Sequence, residues 1–211
     1  MAGIKEYRTI EQTSAIEYDE KKSRFIGVVT HVENQEQIDS FLASLKKANK
    51  DAKHICYGYC LGIDKSITKN NDDGEPAGTA GVPISQALAQ SGLTDTLVAV
   101  VRYFGGIKLG ASRLLRAYHT AAKEALAGAK VAHMVDCAVY ALTVKYPDFV
   151  PIGTYLRDNK ITIISAEYGE CVKLRIAIPS QSADKHISEL KLKMQDEFLC
   201  SKVDSAFFKV D

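Results

Sequence analysis

The sequence predicts an α+β protein of two domains, and three observations lead to this prediction. The chain has 211 residues, which suits one large domain or two small ones. It is 46% hydrophobic and 25% charged, an ordinary composition for a globular protein. Strand-like and helix-like hydrophobic periods alternate along it, and a new strand pattern begins just after Val135. We therefore predict domains at residues 1–135 and 136–211.

The first domain is predicted to mix strands and helices. A helix is predicted at residues 34–49, because Ile38, Leu42 and Leu45 recur at helical spacing. The polar stretch 64–80 is longer than an ordinary connection, so we interpret it as a functional loop. The other predicted elements are strands at 7–18, 23–32, 53–63 and 94–103 and helices at 82–90 and 111–126.

The second domain is predicted to have the element order β-α-β-β-α-β, which is that of a ferredoxin-like fold. Asp148 is placed to cap a helix that starts at Pro147, and the turn at Gly169 joins two strands as a hairpin. The predicted strands are 137–145, 160–168, 171–178 and 203–210, and the second helix is 180–195. Two helices on one face would leave the other sheet face open to solvent or to a protein partner.

Composition excludes several classes of function. The net charge of +1 gives no global field that would mark a nucleic-acid or membrane binder. Neither a signal-peptide core after Met1 nor an apolar run of 18 residues is present, so we expect a cytoplasmic protein with no membrane partner. The five cysteines show no disulfide pattern, and Cys56 and Cys60 lack the second pair that zinc requires. We therefore expect free thiols, no metal site and no cofactor.

A glycine-rich connection between a strand and a helix is the first candidate site. Gly105, Gly106 and Gly110 precede a predicted helix N-terminus, whose free N–H groups can hold an anion or a phosphate. The spacing resembles that of a P-loop, but Ala111 stands where the phosphate-binding lysine belongs. The connection is therefore either an anion site of another kind or only a tight turn.

Basic residues surround this glycine-rich connection. Arg102 and Lys108 flank it, and Arg113 and Arg116 lie three residues apart on one face of the following helix. Basic side chains accompanied by aromatic rings are typical of an RNA-binding surface. The nearby aromatic residues are Tyr57, Tyr59, Tyr103, Phe104 and Tyr118. A solvated charged face beside core aromatics is the alternative interpretation.

An acidic, glycine-containing loop is the second candidate site. Asp73 and Glu75 could act as a general base or hold a metal ion, but the segment is also typical of a turn, and acidic turns are far commoner than metal sites. His54 is a further catalytic candidate, but Cys56 is two residues away on one strand, which rarely permits a Cys–His hydrogen bond. An enzyme would present the carboxylates to a cavity, whereas an RNA binder would turn them inward onto an arginine.

Four segments, KKSRFI, HICYGY, DDGEPAGTAG and VVRYFGGIKLG, together resemble the IMPACT / YigZ family. The resemblance covers both halves of the chain. It implies a first domain like those of ribosomal small-subunit proteins and domain IV of elongation factor G, and a second domain like domain V of that factor. It also implies a role near translation. The kinase-regulating role of the eukaryotic members, which carry an additional RWD domain, is not expected to transfer.

The leading hypothesis is a cytosolic translation-associated protein that binds RNA or the ribosome through Arg102, Lys108, Arg113 and Arg116. One alternative is a hydrolase that uses Asp73 and Glu75 in a pocket between the two glycine loops. The other is a protein-interaction module that uses the open sheet face of the second domain.

Overall fold

The computed structural model describes residues 5–194 and 198–210. The chain divides into two compact units, one formed by Tyr7–His133 and the other by the described residues before and after it. We refer to them as the N-terminal unit and the C-terminal unit. The described residues contain two sheets and five helices, so the protein is α+β.

The first part of the chain builds a five-stranded antiparallel sheet with three helices. Strand β1 (Glu6–Ile10) precedes it in the chain and is not part of this sheet. The strands and helices that build it are β2 (Ser14–Glu20), β3 (Ser23–His31), α1 (Gln35–Ala48), β4 (His54–Leu61), β5 (Ile67–Asn71), α2 (Gly81–Ser91), β6 (Thr96–Tyr103) and α3 (Ala111–Ala127). The strand order is β2-β3-β6-β4-β5, so β6 lies at the centre. In the paired register, Arg102 of β6 lies opposite Phe25 on one neighbour and His54 on the other.

Helices cover both faces of this sheet, which explains why β6 is apolar on both sides. Val98 and Val100 face the core under α2 and α3, whereas Leu97 packs with Ile38 of α1 on the opposite face. Helix α1 begins as predicted, because the side chain of Asn34 accepts a hydrogen bond from a first-turn N–H at 3.0 Å.

Small residues bring α3 unusually close to the sheet. A Cβ placed on Gly27 of β3 would lie 2.5 Å from the carbonyl oxygen of Ala121 and 3.0 Å from the Cβ of Ala125. Cys56 and Cys60 belong to the same core, because their even spacing on β4 puts both side chains on one face of the sheet. All five cysteines of the chain are free thiols.

The C-terminal unit has the predicted element order. Its elements are β7 (Val131–Val144), α4 (Tyr146–Asp158), β8 (Thr162–Tyr168), β9 (Val172–Pro179), α5 (Ala183–Lys193) and β10 (Leu199–Val210). Strand β7 pairs with β9 and with β10, and β9 pairs with β8. Leu174 of β9 packs in one core with Ile152 of α4 and Leu190 of α5, whereas Lys173 and Arg175 are exposed.

Several predicted boundaries are wrong. The single strand predicted at 7–18 is two strands with a break between Ile10 and Ser14, and β7 and β10 both begin earlier than predicted. Helix α4 begins after Lys145, so Asp148 lies in its first turn instead of capping it. The predicted end of the last helix, Gln195, lies outside the described residues.

The loop predicted at residues 64–80 contains a strand. Strand β5 is exposed along its whole length and pairs with β4 at the edge of the sheet, with Tyr57 opposite Asn71. Its sequence, ITKNN, has no alternating apolar pattern, so only its pairing makes it a strand.

Among the described residues, no helix combines the length and apolar character that crossing a bilayer requires.

We expect Gly27→Ala to lower the free energy of unfolding by about 1–3 kcal/mol, because the new methyl group forces α3 away from β3. Urea denaturation followed by circular dichroism measures this change. Gly128→Ala is the matched control, since its Cβ would make only ordinary contacts at the other end of α3. Equal stability of the two variants would contradict close packing at Gly27.

Candidate functional site

The acidic loop is held in one shape by the side chain of Asp72. Its Oδ1 accepts hydrogen bonds from the backbone N–H groups of Ala80 at 2.9 Å and Gly81 at 2.8 Å, and its Oδ2 accepts one from Gly78 at 2.8 Å. Burial alone would raise the pKa of Asp72, but these three donors outweigh it, and the pKa lies below its ordinary value. Asp72 therefore stabilises the N-terminus of α2 as a carboxylate.

Glu75 is turned inward and pairs with Arg102. The Glu75 Oε1 atom lies 2.5 Å from an Arg102 nitrogen, and the two side chains are only 4% and 7% exposed. The same oxygen accepts a hydrogen bond at 2.8 Å from the hydroxyl of Tyr118 on α3. Burial raises the pKa of Tyr118, which keeps it a protonated donor. The guanidinium also lies 5.5 Å from the ring centre of Phe25 and 5.6 Å from that of Phe104.

Asp73 also has a structural partner. Its Oδ2 accepts a hydrogen bond from the backbone N–H of Ile55 at 2.7 Å, and its own backbone nitrogen donates to the side chain of Asn71 at 2.7 Å. Both carboxylates that the sequence offers for catalysis, Asp73 and Glu75, thus hold the acidic loop onto the sheet.

His54 and Cys56 do not form a catalytic pair in this structure. The Nδ1 atom of His54 lies 2.7 Å from the carbonyl oxygen of Asp73, and the Cys56 thiol donates to the carbonyl oxygen of Asp72 at 3.0 Å. Burial raises the pKa of Cys56 to about 12, so the thiol is protonated and unreactive at neutral pH. Among the described residues, no group of three or more His, Cys, Asp or Glu side chains could hold a metal ion.

The three glycines before α3 have different reasons to be glycine. A Cβ on Gly105 would overlap the carbonyl oxygen of Lys22 in the β2–β3 turn, so Gly105 permits packing within the protein. Gly106 and Gly110 have φ angles of 84° and 76°, which other residues adopt only with strain. Space is open around both of them in the described structure, so backbone remains accessible there.

A cleft of about 520 Å³ opens at the N-terminus of α3, and we call it the α3 cleft. It is lined by Lys53, His54, Glu75, Pro76, Arg102, Phe104, Lys108, Leu109, Gly110, Ala111 and Leu114. No side chain among the described residues caps α3, so its first N–H groups remain available. The Nε atom of Arg102 is buried and has no hydrogen-bond partner among the described residues. The exposed positive charges of the cleft are those of Lys53 and Lys108, and they lie near the uncapped start of α3.

The structure brings together only some of the predicted binding residues. Arg102 and Lys108 both line the α3 cleft. Arg113 and Arg116 are exposed on the first turns of α3 and are not among its lining residues, and Arg116 donates to the Ser112 hydroxyl at 3.1 Å. Gly105 and Gly106 lie in the connection that leads from β6 to this helix.

Lys53 is the basic residue of the α3 cleft that the sequence did not indicate. Its backbone N–H bonds to the carbonyl oxygen of Arg102 at 3.3 Å, because β4 pairs with β6 at this end. The sequence carries the lysine but no sign that β4 neighbours β6, so only the sheet order reveals its position.

Comparison with known proteins gives consistent matches over most of the chain. Residues 21–126 match the family model of the Impact N-terminal domain. The IMPACT family member YvyE of Bacillus subtilis is 34% identical over 178 residues, which cover 84% of this chain and 82% of the relative. The IMPACT family member YigZ of Escherichia coli is also 34% identical, over 83% of this chain and 85% of its own. A crystal structure of a hypothetical protein aligns with a TM-score of 0.63 and 28% identity, covering 95% and 98% of the two chains.

We expect Glu75→Gln to lower the free energy of unfolding by about 3–5 kcal/mol, because Arg102 would remain buried with an unpaired charge. Chemical denaturation at pH 7 measures the loss. The matched control is Glu17→Gln, which breaks an exposed ion pair with Arg24 and should cost less than about 1 kcal/mol. If the two variants were equally stable, the pair would not be the buried anchor that the geometry indicates.

We expect Asp72→Asn to cost about 1 kcal/mol at pH 7, the usual value of a helix cap. The folded state lowers the pKa of Asp72. The contribution of Asp72 to the free energy of unfolding is therefore complete at pH values above the ordinary Asp pKa of about 3.9. The contribution is lost as the pH falls through the lower folded-state pKa. The stabilities of wild type and variant should therefore begin to converge as the pH falls below about 4. A difference that grew on acidification would contradict this assignment.

Proposed function

Because this chain belongs to the IMPACT family, we propose that it is a translation-associated regulatory protein that binds RNA or the ribosome through the α3 cleft. The observation that carries the proposal is the α3 cleft itself, with basic side chains at the uncapped N-terminus of a 17-residue helix. Such a helix terminus favours anions, and phosphate is the anion that RNA supplies at every nucleotide.

The buried pair supports a binding role for the α3 cleft. Glu75, Tyr118 and two aromatic rings fix the Arg102 guanidinium, so this wall of the α3 cleft is held in place before a ligand binds. Lys53 and Lys108 are exposed at the rim and would contact phosphates as mobile point charges. This is the inward arrangement of carboxylates that an RNA binder needs.

The exposed arginines extend the basic surface beyond the α3 cleft. Arg113 and Arg116 continue along the same helix, where their guanidinium groups suit bidentate contact with phosphate oxygens. Contacts of this kind position a nucleic acid without reading its sequence. We therefore propose binding that depends on backbone charge and on shape.

We further interpret the two units in terms of translation-factor folds. The C-terminal unit has the element order of a ferredoxin-like fold, with β8-β9-β7-β10 as neighbours, which supports a likeness to domain V of elongation factor G. The N-terminal unit would then correspond to domain IV. The C-terminal sheet is the surface of the alternative protein-docking role: β9 exposes Lys173 and Arg175, whereas β10 exposes Leu199 and Val203.

The site gives little support to the hydrolase alternative, because its carboxylates are already bonded within the protein. A general base needs a carboxylate oxygen within reach of substrate, but Asp73 accepts from Ile55 and Glu75 pairs with Arg102. The protonated Cys56 thiol offers no nucleophile in their place.

We expect the double variant Lys108→Ala/Arg113→Ala to bind RNA and ribosomes more weakly than wild type, because up to two phosphate contacts are lost. Binding should be measured at about 50 mM and about 200 mM salt, where a phosphate-dominated interaction changes steeply. The slope of log affinity against log salt should fall by about 1 for each contact removed.

Lys160→Ala/Lys185→Ala serves as the matched control, since both lysines are exposed in the C-terminal unit. Salt-independent binding by wild type, or no binding to any RNA or ribosome, would overturn the proposed function.

A further inference from the structure

We infer that the ligand of the α3 cleft is a single-stranded RNA that continues into a second, adjoining cleft, with lysines on its phosphates and an aromatic ring in each cleft against a base. This inference rests on the proposed function and deepens it by naming the ligand class and its path. Both clefts lie within the N-terminal unit.

The second cleft has a volume of about 490 Å³ and lies between the end of α1 and the start of β4; we call it the α1 cleft. It is lined by Leu42, Ala43, Lys46, Asn49, Lys50, Ala52, Lys53, Ile55, Tyr57 and Asp73. Lys53 lines both clefts, so the two share a rim and can receive one continuous chain.

The charges along this path complement a polyanion. Lys46, Lys50, Lys53 and Lys108 are all exposed, and Lys46 lies in the last turn of α1. The carboxylates that line the clefts are Glu75, already paired with Arg102, and Asp73, whose Oδ2 accepts from Ile55. Since the whole chain carries a net charge of only +1, this excess of lysine is a local feature of the two clefts.

Each cleft also presents one aromatic ring. Phe104 is 48% exposed at the α3 cleft, and the Arg102 guanidinium lies 5.6 Å from its ring centre. Tyr57 is partly exposed in the α1 cleft and is stacked on Tyr59, with ring centres 6.4 Å apart and an angle of 10° between planes. Both rings are therefore supported from within the protein and retain a surface at the cleft.

Aromatic rings next to a basic path favour a single strand over a duplex. The bases of a duplex are stacked on one another, whereas an unpaired base exposes a π face that can stack on Phe or Tyr. A protein that contacts only duplex phosphates gains no affinity from Phe104. An exposed ring at this position therefore favours single-stranded RNA as the ligand.

The test is equilibrium binding of the full chain to three probes, a labelled single-stranded RNA of about 12 nucleotides, the same RNA as a duplex, and inorganic polyphosphate. Wild type should bind the single strand more tightly than the duplex. Phe104→Ala should weaken single-strand binding about tenfold and polyphosphate binding much less, because polyphosphate has no base to stack on the ring. Phe104→Tyr should retain single-strand affinity, since it keeps an aromatic face.

The α1 cleft is tested separately with Lys46→Ala/Lys50→Ala. This variant should lower the slope of log affinity against log salt by about 1.4, which is about 0.7 for each single-strand phosphate contact. Lys69→Ala/Lys123→Ala is the matched control, because both lysines are exposed on the same unit and line neither cleft. Its slope should equal that of wild type.

The outcomes separate this inference from the proposed function. Salt-sensitive RNA binding that is equal for duplex and single strand, or unchanged in Phe104→Ala, or unchanged in Lys46→Ala/Lys50→Ala, overturns the inference and leaves the proposed function standing. No RNA or ribosome binding by wild type at either salt concentration overturns both.

Discussion

The buried ion pair between Arg102 and Glu75 connects three parts of the N-terminal unit. Arg102 belongs to the central strand β6, Glu75 to the acidic loop, and Tyr118, which donates to the same carboxylate oxygen, to α3. Removing two charges from water costs several kcal/mol for each ion, and only good geometry with further hydrogen bonds offsets that cost. The folded state therefore requires the acidic loop to hold the one shape that brings Glu75 to both Arg102 and Tyr118.

The same loop begins α2, so its shape also determines where that helix starts. Asp72 accepts three backbone N–H bonds near the start of α2, and Asp73 fastens the loop to β4 through Ile55. Every carboxylate of the DDGE segment thus bonds to the protein itself. The acidic side chains of this segment hold the backbone of the loop against α2, β4 and β6.

The burial of the Glu75 carboxylate leaves the surface at the α3 cleft positively charged. Because Glu75 is buried against Arg102, it cannot neutralise Lys53 and Lys108 at the rim of the α3 cleft. A chain with almost no net charge can consequently present a locally basic face. The uncapped start of α3 adds donors to the same face, and the open backbone at Gly106 and Gly110 leaves them accessible.

The sequence by itself determined the elements that have a strong hydrophobic period and the family to which the chain belongs. The apolar stripe of α1, the strand β6 and the helix α3 were all predicted and are present, because burial imposes a period that can be read locally. The motif DDGEPAGTAG with VVRYFGG likewise needed no structure to be recognised, and the family match confirms it.

Only the tertiary structure decided the parts that depend on neighbours distant in the chain. Strand β5 has no hydrophobic period and exists because β4 pairs with it. The direction of Glu75 follows from the position of Arg102, which the pairing of β3, β6 and β4 fixes. The same pairing places Lys53 beside Arg102. The partner of a carboxylate is the group that the fold brings within hydrogen-bond distance of it. A local sequence pattern does not show which residues distant in the chain will come that close.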